Sequence, residues 1–394
     1  MKGSTRASSQ FLLIAVALCG ALPLFASSIT YTCDSTIGSL DGAGVCGYLN
    51  STVAGLYSST FSNANANIYV TTSSTGLGES TQVTQLVTYS QYYSALQALA
   101  LQPGFDTTAF NSLSVSDPAI FTGGSTFVGI TAALTNALGI SGGATFYGAI
   151  YGVTPGSPTP CILGSSNCYN GVIQVVTPAG LSSGSGGSQG LWYRNVAGTA
   201  SGAQPGNDYD FFSVVEHETD ELLGTASCTD ITSLSPTGGT PDAFTGGPSG
   251  PPTPATNECT ASGQITASPS AVDLFRYSAP GARVFDSLTA AYFSPDGGTT
   301  DTDGNAYNTT NVGEDYADFS QSCTFVQDAE GCLGGSFDII TDNGGGPGPE
   351  ISILNAVGYD LNQQGPVTTP EPASMILFGT GLAGLMARMR RKKN

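Results

Sequence analysis

The chain has 394 residues and a formal net charge of −19, from 10 Lys+Arg against 29 Asp+Glu. Lys2, Arg6 and five of the last seven residues lie in terminal segments, so the body keeps only Arg194, Arg276 and Arg283 against every acidic residue but Glu371, a net charge near −25. So few bases leave nothing to neutralise phosphates, which excludes nucleic acid as a partner; the surplus of carboxylates favours cations such as calcium, or simply keeps an exported chain soluble.

In chain order, Lys2 and Arg6 precede an apolar run at residues 11–21, followed by the small residues Ala26, Ser27 and Ser28. This layout predicts a secretory signal peptide over 1–28, too short for a mature membrane span. Leu18 is too large for the position before a lipidated Cys19. Without that segment the nine cysteines become eight: Cys33, Cys46, Cys161, Cys168, Cys228, Cys259, Cys323 and Cys332. An even set in an exported chain predicts disulfides. The simplest pairing is sequential (33–46, 161–168, 228–259, 323–332), although sequence does not fix connectivity. A thiolate metal site has no C-x-x-C spacing to support it.

Residues 29–66, rich in Ser, Gly, Ala and Asn, read as an irregular segment. A strand is predicted over 67–72, a helix over 90–101 capped by Ser90 and ended by Pro103-Gly104, and a second helix over 131–138 closed by Gly139. Strands over 144–151 and 171–176 follow, with the Cys161/Cys168 loop between them. This order predicts an α+β domain over 67–362, a mixed sheet backed by helices with the next helix beneath it. Gly186-Gly-Ser188-Gln-Gly190 is formally G-x-S-x-G, but glycines flank it where a nucleophile elbow needs a strand and a helix.

That next helix carries the chemistry. Phe211, Val214, Val215, Glu218 and Leu222 recur at three- and four-residue spacing, so an amphipathic helix opens near Asp208 or Asp210 and stops at Gly224. His217, the single histidine of the chain, and Glu221 are four apart, on one face and within reach of one metal ion. Glu218 lies on the same rim, placed to take a proton from water. The pattern is H-E-x-x-H with a carboxylate in the second ligand's place; an exposed histidine on an acidic helix face is the alternative.

Beyond it, residues 236–257 read as a flexible Pro/Gly/Thr-rich insertion. The run Asp296-Gly-Gly-Thr-Thr-Asp301-Thr-Asp303-Gly-Asn305 has calcium-friendly oxygens but only a partial EF-hand match, and an Asx-turn loop accounts for it equally. A last helix is expected over 351–357, closed by Gly358, then a linker at 363–369. The tail at 370–394 has Pro370-Glu-Pro372, an apolar run at 373–386 and a basic end, a stop-transfer layout shorter than an ordinary span.

Val214-Val-Glu-His-Glu-Thr-Asp-Glu-Leu-Leu-Gly224, Asp273-Leu-Phe-Arg-Tyr-Ser-Ala-Pro-Gly281, Tyr292-Phe-Ser-Pro-Asp-Gly-Gly-Thr-Thr300, Gly313-Glu-Asp-Tyr-Ala-Asp318 and Ala356-Val-Gly-Tyr-Asp360 occur in that order. Together they resemble a family of exported bacterial metalloproteases with an H-E-x-x-E helix, metzincin-like in layout. The tail resembles a PEP-CTERM sorting signal. The first resemblance implies a zinc-dependent endopeptidase. The second implies transient inner-membrane insertion, cleavage by an exosortase near 370–372, and delivery to the outer surface or extracellular polysaccharide of a Gram-negative bacterium; a permanent C-terminal anchor is the alternative.

In H-E-x-x-H-x-x-G-x-x-H the glycine falls on Gly224 but the last ligand position is Ser227, and with no second histidine the third ligand must come from Asp, Glu, Tyr or Cys. Asp230 lies near. Asp273 is the preferred ligand, with Tyr277 as transition-state donor or extra ligand; pairing of Asp273 with Arg276 and burial of Tyr277 in the core is the structural alternative. One imidazole and two carboxylates form a harder, more negative set than the usual zinc site; zinc is still the first choice, with calcium or manganese as competitors. Two functions therefore stand: a zinc endopeptidase using His217, Glu221 and Asp273 with Glu218 as base, or a non-catalytic acidic calcium-binding surface or matrix protein.

Overall fold

The computed structural model describes residues 27–37, 44–73, 76–82, 84–115, 127–140, 169–177, 189–193, 204–227, 269–285, 289–302, 304, 306–309, 315–320, 323–340 and 348–362. The elements are β1 (Ser28–Cys33), α1 (Gly44–Tyr48), a π turn (Leu49–Val53), α2 (Ala54–Thr60), β2 (Asn65–Ser73), β3 (Gly78–Gln82), β4 (Thr84–Thr88), α3 (Tyr89–Leu99), α4 (Thr107–Ser112), β5 (Phe127–Thr131), α5 (Ala132–Ala137), β6 (Gly171–Val176), β7 (Gly190–Trp192), β8 (Asp208–Asp210) and α6 (Phe211–Asp220). A second π turn (Glu221–Thr225), a 3-10 turn (Val272–Phe275), β9 (Arg276–Ala279), β10 (Ala282–Arg283), β11 (Tyr292–Phe293) and α7 (Pro349–Val357) complete the mixed α/β set.

The main sheet has the order β1-β2-β6-β3. The first three strands run parallel, and β3 lies antiparallel to β6 at the edge, with Ser80 opposite Ile173. All six residues of β6 are buried, as the run Gly-Val-Ile-Gln-Val-Val leads one to expect for a central strand covered on both faces. One cover is the His217 helix. Val214, Val215, Leu222 and Leu223 are buried in the same core as Ile68, Val70, Ile173 and Val175. Each such side chain contributes about 1.5–3 kcal/mol by leaving water. Gly171 makes the approach possible, since a Cβ there would meet Leu222 Cδ2 at 2.1 Å.

The predicted strand at 171–176 matches β6, and that at 67–72 falls within β2. The helix at 131–138 is α5, with the Thr131 side chain accepting from Leu134 N and Gly139 at φ +61. The helix expected from Ser90 begins at Tyr89 instead: Thr88 is its cap, in a reciprocal capping box with Gln91, two residues ahead of Ser90. The irregular reading of 29–66 needs the larger correction. It holds β1 and three helical turns, because Val45, Leu49, Val53 and Tyr57 recur every four residues and all are fully buried. The Cys33–Cys46 and Cys323–Cys332 disulfides form as paired in sequence. The Cys161/Cys168 and Cys228/Cys259 pairs, the strand at 144–151, the G-x-S-x-G segment, the 236–257 insertion, Asp230, the signal segment before Ser27 and the tail lie outside the described residues. Among the described residues no helix is long and apolar enough to cross a membrane.

Candidate metal centre

Asp210 opens the His217 helix, its carboxylate accepting from Phe212 N at 2.9 Å. The helix runs through Asp220 and widens into the π turn at Glu221, where Gly224 at φ +133 lets the chain leave. Its far side is tied down. Tyr57 OH donates to Asp220 Oδ1 at 2.8 Å, and the Tyr31 hydroxyl lies 3.0 Å from Thr219 Oγ1.

On the near side His217 Nε2 stands 3.7 Å from Glu221 Oε1 and 3.8 Å from Asp318 Oδ1. One ligand atom from each of the three lies within 4.8 Å of the others. The imidazole is oriented for ligation: Nδ1 donates to the Val326 carbonyl at 2.9 Å, so in the neutral ring the Nε2 lone pair faces the carboxylates. Glu221 is fixed through its other oxygen, which accepts from Ser80 Oγ at 2.5 Å, and Gln82 Nε2 in turn donates to Ser80. The edge strand β3 thus sets the second ligand. The cluster fits a divalent cation: one imidazole nitrogen and two carboxylate oxygens converge, with hydrogen-bonded partners behind His217 and Glu221.

Asp318 arrives by a relay. Ser227, at the position of the third metzincin ligand, gives its N–H to both oxygens of Asp315 at 3.0 Å. Asp315 turns the chain by accepting from Ala317 N at 2.6 Å, and Asp318 follows. Phe319 N then donates to Gln327 O at 2.8 Å, bringing the two loops side by side, and Gln327 Nε2 donates to Asp318 Oδ1 at 2.7 Å.

Asp273, the expected third ligand, is not in the group. Its carboxylate accepts from Ser227 Oγ at 2.5 Å and from Ser270 N and Oγ at 2.8 and 3.0 Å, so its structural task is to anchor the chain leaving the site. Tyr277 is likewise elsewhere: its hydroxyl accepts from Arg283 Nη2 at 2.6 Å, and it is buried on β9. Asp318 closes one of the sequence blocks quoted above, so its position was visible even though its role was not. In the Asp296 loop the carboxylate accepts from Ser294 Oγ, Thr300 N and Thr300 Oγ1, bonds that close the loop four residues on rather than the two of an Asx turn, while Asp303 and Asn305 lie outside the described residues.

The electrostatics split the adjacent acids. Burial and then the charge of Glu221 push Glu218 well above the ordinary carboxylate range. Burial alone would raise Glu221, but its hydrogen bond to His217 and the charge of that ring bring it below its usual value. Burial lowers the imidazole's affinity for a proton, yet Asp318, Glu221 and Glu218 together lift His217 well above an ordinary histidine. A proton on His217 is what a metal-free cluster of carboxylates demands, and a cation bound there would take its place. Glu218 itself lies against β3: a Cβ on Gly78 would meet its Oε1 at 2.4 Å.

Residues 368–392 match the PEP-CTERM protein-sorting motif. The chain is therefore an exported protein sorted to the cell envelope or surface of a Gram-negative bacterium, and the motif implies an exosortase as its processing partner. The two disulfides belong with that destination, outside the reducing cytosol. Neither the curated proteins nor the solved structures contain a match to this chain.

Proposed function

We propose that this chain is an exported metal-dependent endopeptidase whose cation, zinc by preference, is held by His217, Glu221 and Asp318. The observation that carries the reading is the convergence of one nitrogen and two carboxylate oxygens within 4.8 Å on an H-E-x-x-E helix, with Glu218 adjacent. When bound, such a cation supplies Lewis acidity toward a peptide carbonyl and toward water.

The chain's own groups do the rest. Val326 O and Ser80 Oγ hold His217 and Glu221 in their ligating orientations. Glu218 is the one acid of the motif not used as a ligand. In the metal-free protein it keeps its proton, for the reasons given above; a nearby positive charge releases it, leaving a carboxylate able to accept a proton from water and return it to the leaving amine. The antiparallel edge strand β3, whose Gly78 lies against Glu218 and whose Ser80 bonds Glu221, offers an extended backbone beside these groups on which a peptide can pair. The carboxylate-rich body favours the second reading, a calcium-binding surface or matrix protein, and metal content distinguishes the two.

The deciding experiment is Glu218→Gln in the purified protein. Retained zinc with casein cleavage reduced by at least about a hundredfold, the scale of a general base, supports the peptidase. Cleavage at the wild-type rate would falsify it.

A further inference from the structure

Gln327 is fully buried, yet its carboxamide reaches into the cluster. Its Nε2 donates to Asp318 Oδ1 at 2.7 Å and lies 3.4 Å from His217 Nε2, bridging the two groups a cation would join. Its Oε1 accepts from Thr225 Oγ1 at 3.3 Å, on the π turn of the motif helix. Its backbone is clamped as well, the N–H donating to Glu350 Oε1 at 2.8 Å and the carbonyl accepting from Phe319 N at 2.8 Å. The amino end of an amide thus bridges a ligand nitrogen and a ligand oxygen, while its carbonyl end faces a hydroxyl.

That arrangement has two chemical consequences. The amino group satisfies Asp318 Oδ1 without a metal and competes with one, since it stands beside His217 Nε2 where a cation would have to come. A half-turn of the carboxamide about its last bond exchanges Nε2 for Oε1 and converts the same group from competitor to neutral oxygen ligand. Thr225 makes the exchange inexpensive, because its hydroxyl donates to Oε1 in one orientation and accepts from Nε2 in the other.

We propose that Gln327 is the fourth protein ligand of the His217, Glu221 and Asp318 cation site, its amino group bonded to Asp318 when the site is empty and its Oε1 turning to the cation when the site is filled. The inference rests on the metal-binding part of the proposed function and adds a ligand to it. A neutral fourth oxygen also completes the shell without adding charge to two carboxylates.

The test uses the full purified chain, with zinc affinity read by competition against a chromophoric chelator and the coordination shell read from the visible absorption of the cobalt(II) form. The variants are Gln327→Leu, Gln327→Glu and His217→Ala. Gln327→Leu is expected to weaken zinc binding by about ten- to a hundredfold and to change the cobalt spectrum, because a donor atom is lost. Gln327→Glu keeps an oxygen at the site, and its affinity is expected to stay within about tenfold of wild type, against the same scale. The spectrum decides: Gln327→Leu with the wild-type cobalt spectrum overturns the ligand assignment whatever the affinity. If Gln327→Leu does not fold, Gln327→Glu with binding as poor as His217→Ala overturns it instead. A wild-type protein that takes up no metal overturns both this inference and the proposed function; wild-type binding that His217→Ala abolishes, with an unchanged Gln327→Leu spectrum, overturns this inference alone.

Discussion

Glu350, at the second position of α7, is fully buried and gives Oε1 to Gln327 N at 2.8 Å. Burial is the main reason its carboxyl is raised from 4.5 to about 7. An unfolded chain releases that proton near 4.5, whereas the folded one holds it to about 7. Between those values the native state binds more protons than the unfolded state, so stability falls as pH rises through the window and is flat on either side. A shift of roughly 2.5 units at about 1.4 kcal/mol each makes the loss on the order of 3 kcal/mol. Glu350→Gln keeps the acceptor for Gln327 N and removes the titration. Urea denaturation of both proteins in chelator, from pH 4.5 to pH 8, should show wild type losing about 3 kcal/mol relative to the variant across the window. Asp220, raised well above its usual range first by burial and then by the Glu350 charge, adds to the difference as it relaxes in the variant. A wild-type minus variant difference that stays level from pH 4.5 to pH 8 would refute the assignment of this group as a buried, late-titrating acid.

The two aspartates that compete for the third ligand position separate by metal content. Asp318→Asn should lose zinc by at least about tenfold in affinity, the lower end of what even an outer partner costs, while Asp273→Asn should bind zinc normally and lose stability instead. The opposite pattern, read by chelator competition and thermal melting, would return the ligand to Asp273. Because His217 holds its proton well above pH 6.5 in the empty site, zinc must displace it. Apparent affinity should therefore keep rising with pH past 6.5, and a plateau beginning at or below that pH would contradict the charge environment described for the ring.

The parts of the fold that local periodicity controls were legible. β6 declares itself as an apolar run interrupted only by Gln174, α5 and α7 end at glycines with φ +61 and +140, and the motif helix has an Asp cap and the Gly224 stop. The N-terminal turns were missed because their small polar residues dominate the composition, although the spacing of Val45, Leu49, Val53 and Tyr57 carried the signal. The shift of the α3 start from Ser90 to Thr88 has a similar cause. Both residues are good caps, and only Gln91, three beyond Thr88, completes the reciprocal pair.

The third member of the His217 cluster was not legible, for a reason of another kind. Asp273 stands nearer to the motif in sequence and has a tyrosine four residues on, yet Ser270-Ala-Val-Asp273 also has the spacing at which a carboxylate reaches back to the N–H three residues before it, and that local bond is the one that forms. Asp318 is brought in over longer distances: its side chain meets Gln327 and His217, 9 and 101 residues away, because Ser227, Asp315 and Phe319 fold the intervening loops together. A carboxylate held by its own turn can be traced from sequence spacing, whereas one delivered by a tertiary relay cannot. In this body, with three arginines and a single histidine, the His217 ring supplies the positive charge beside Glu221 and Asp318, and under the proposed function a divalent cation would replace that charge.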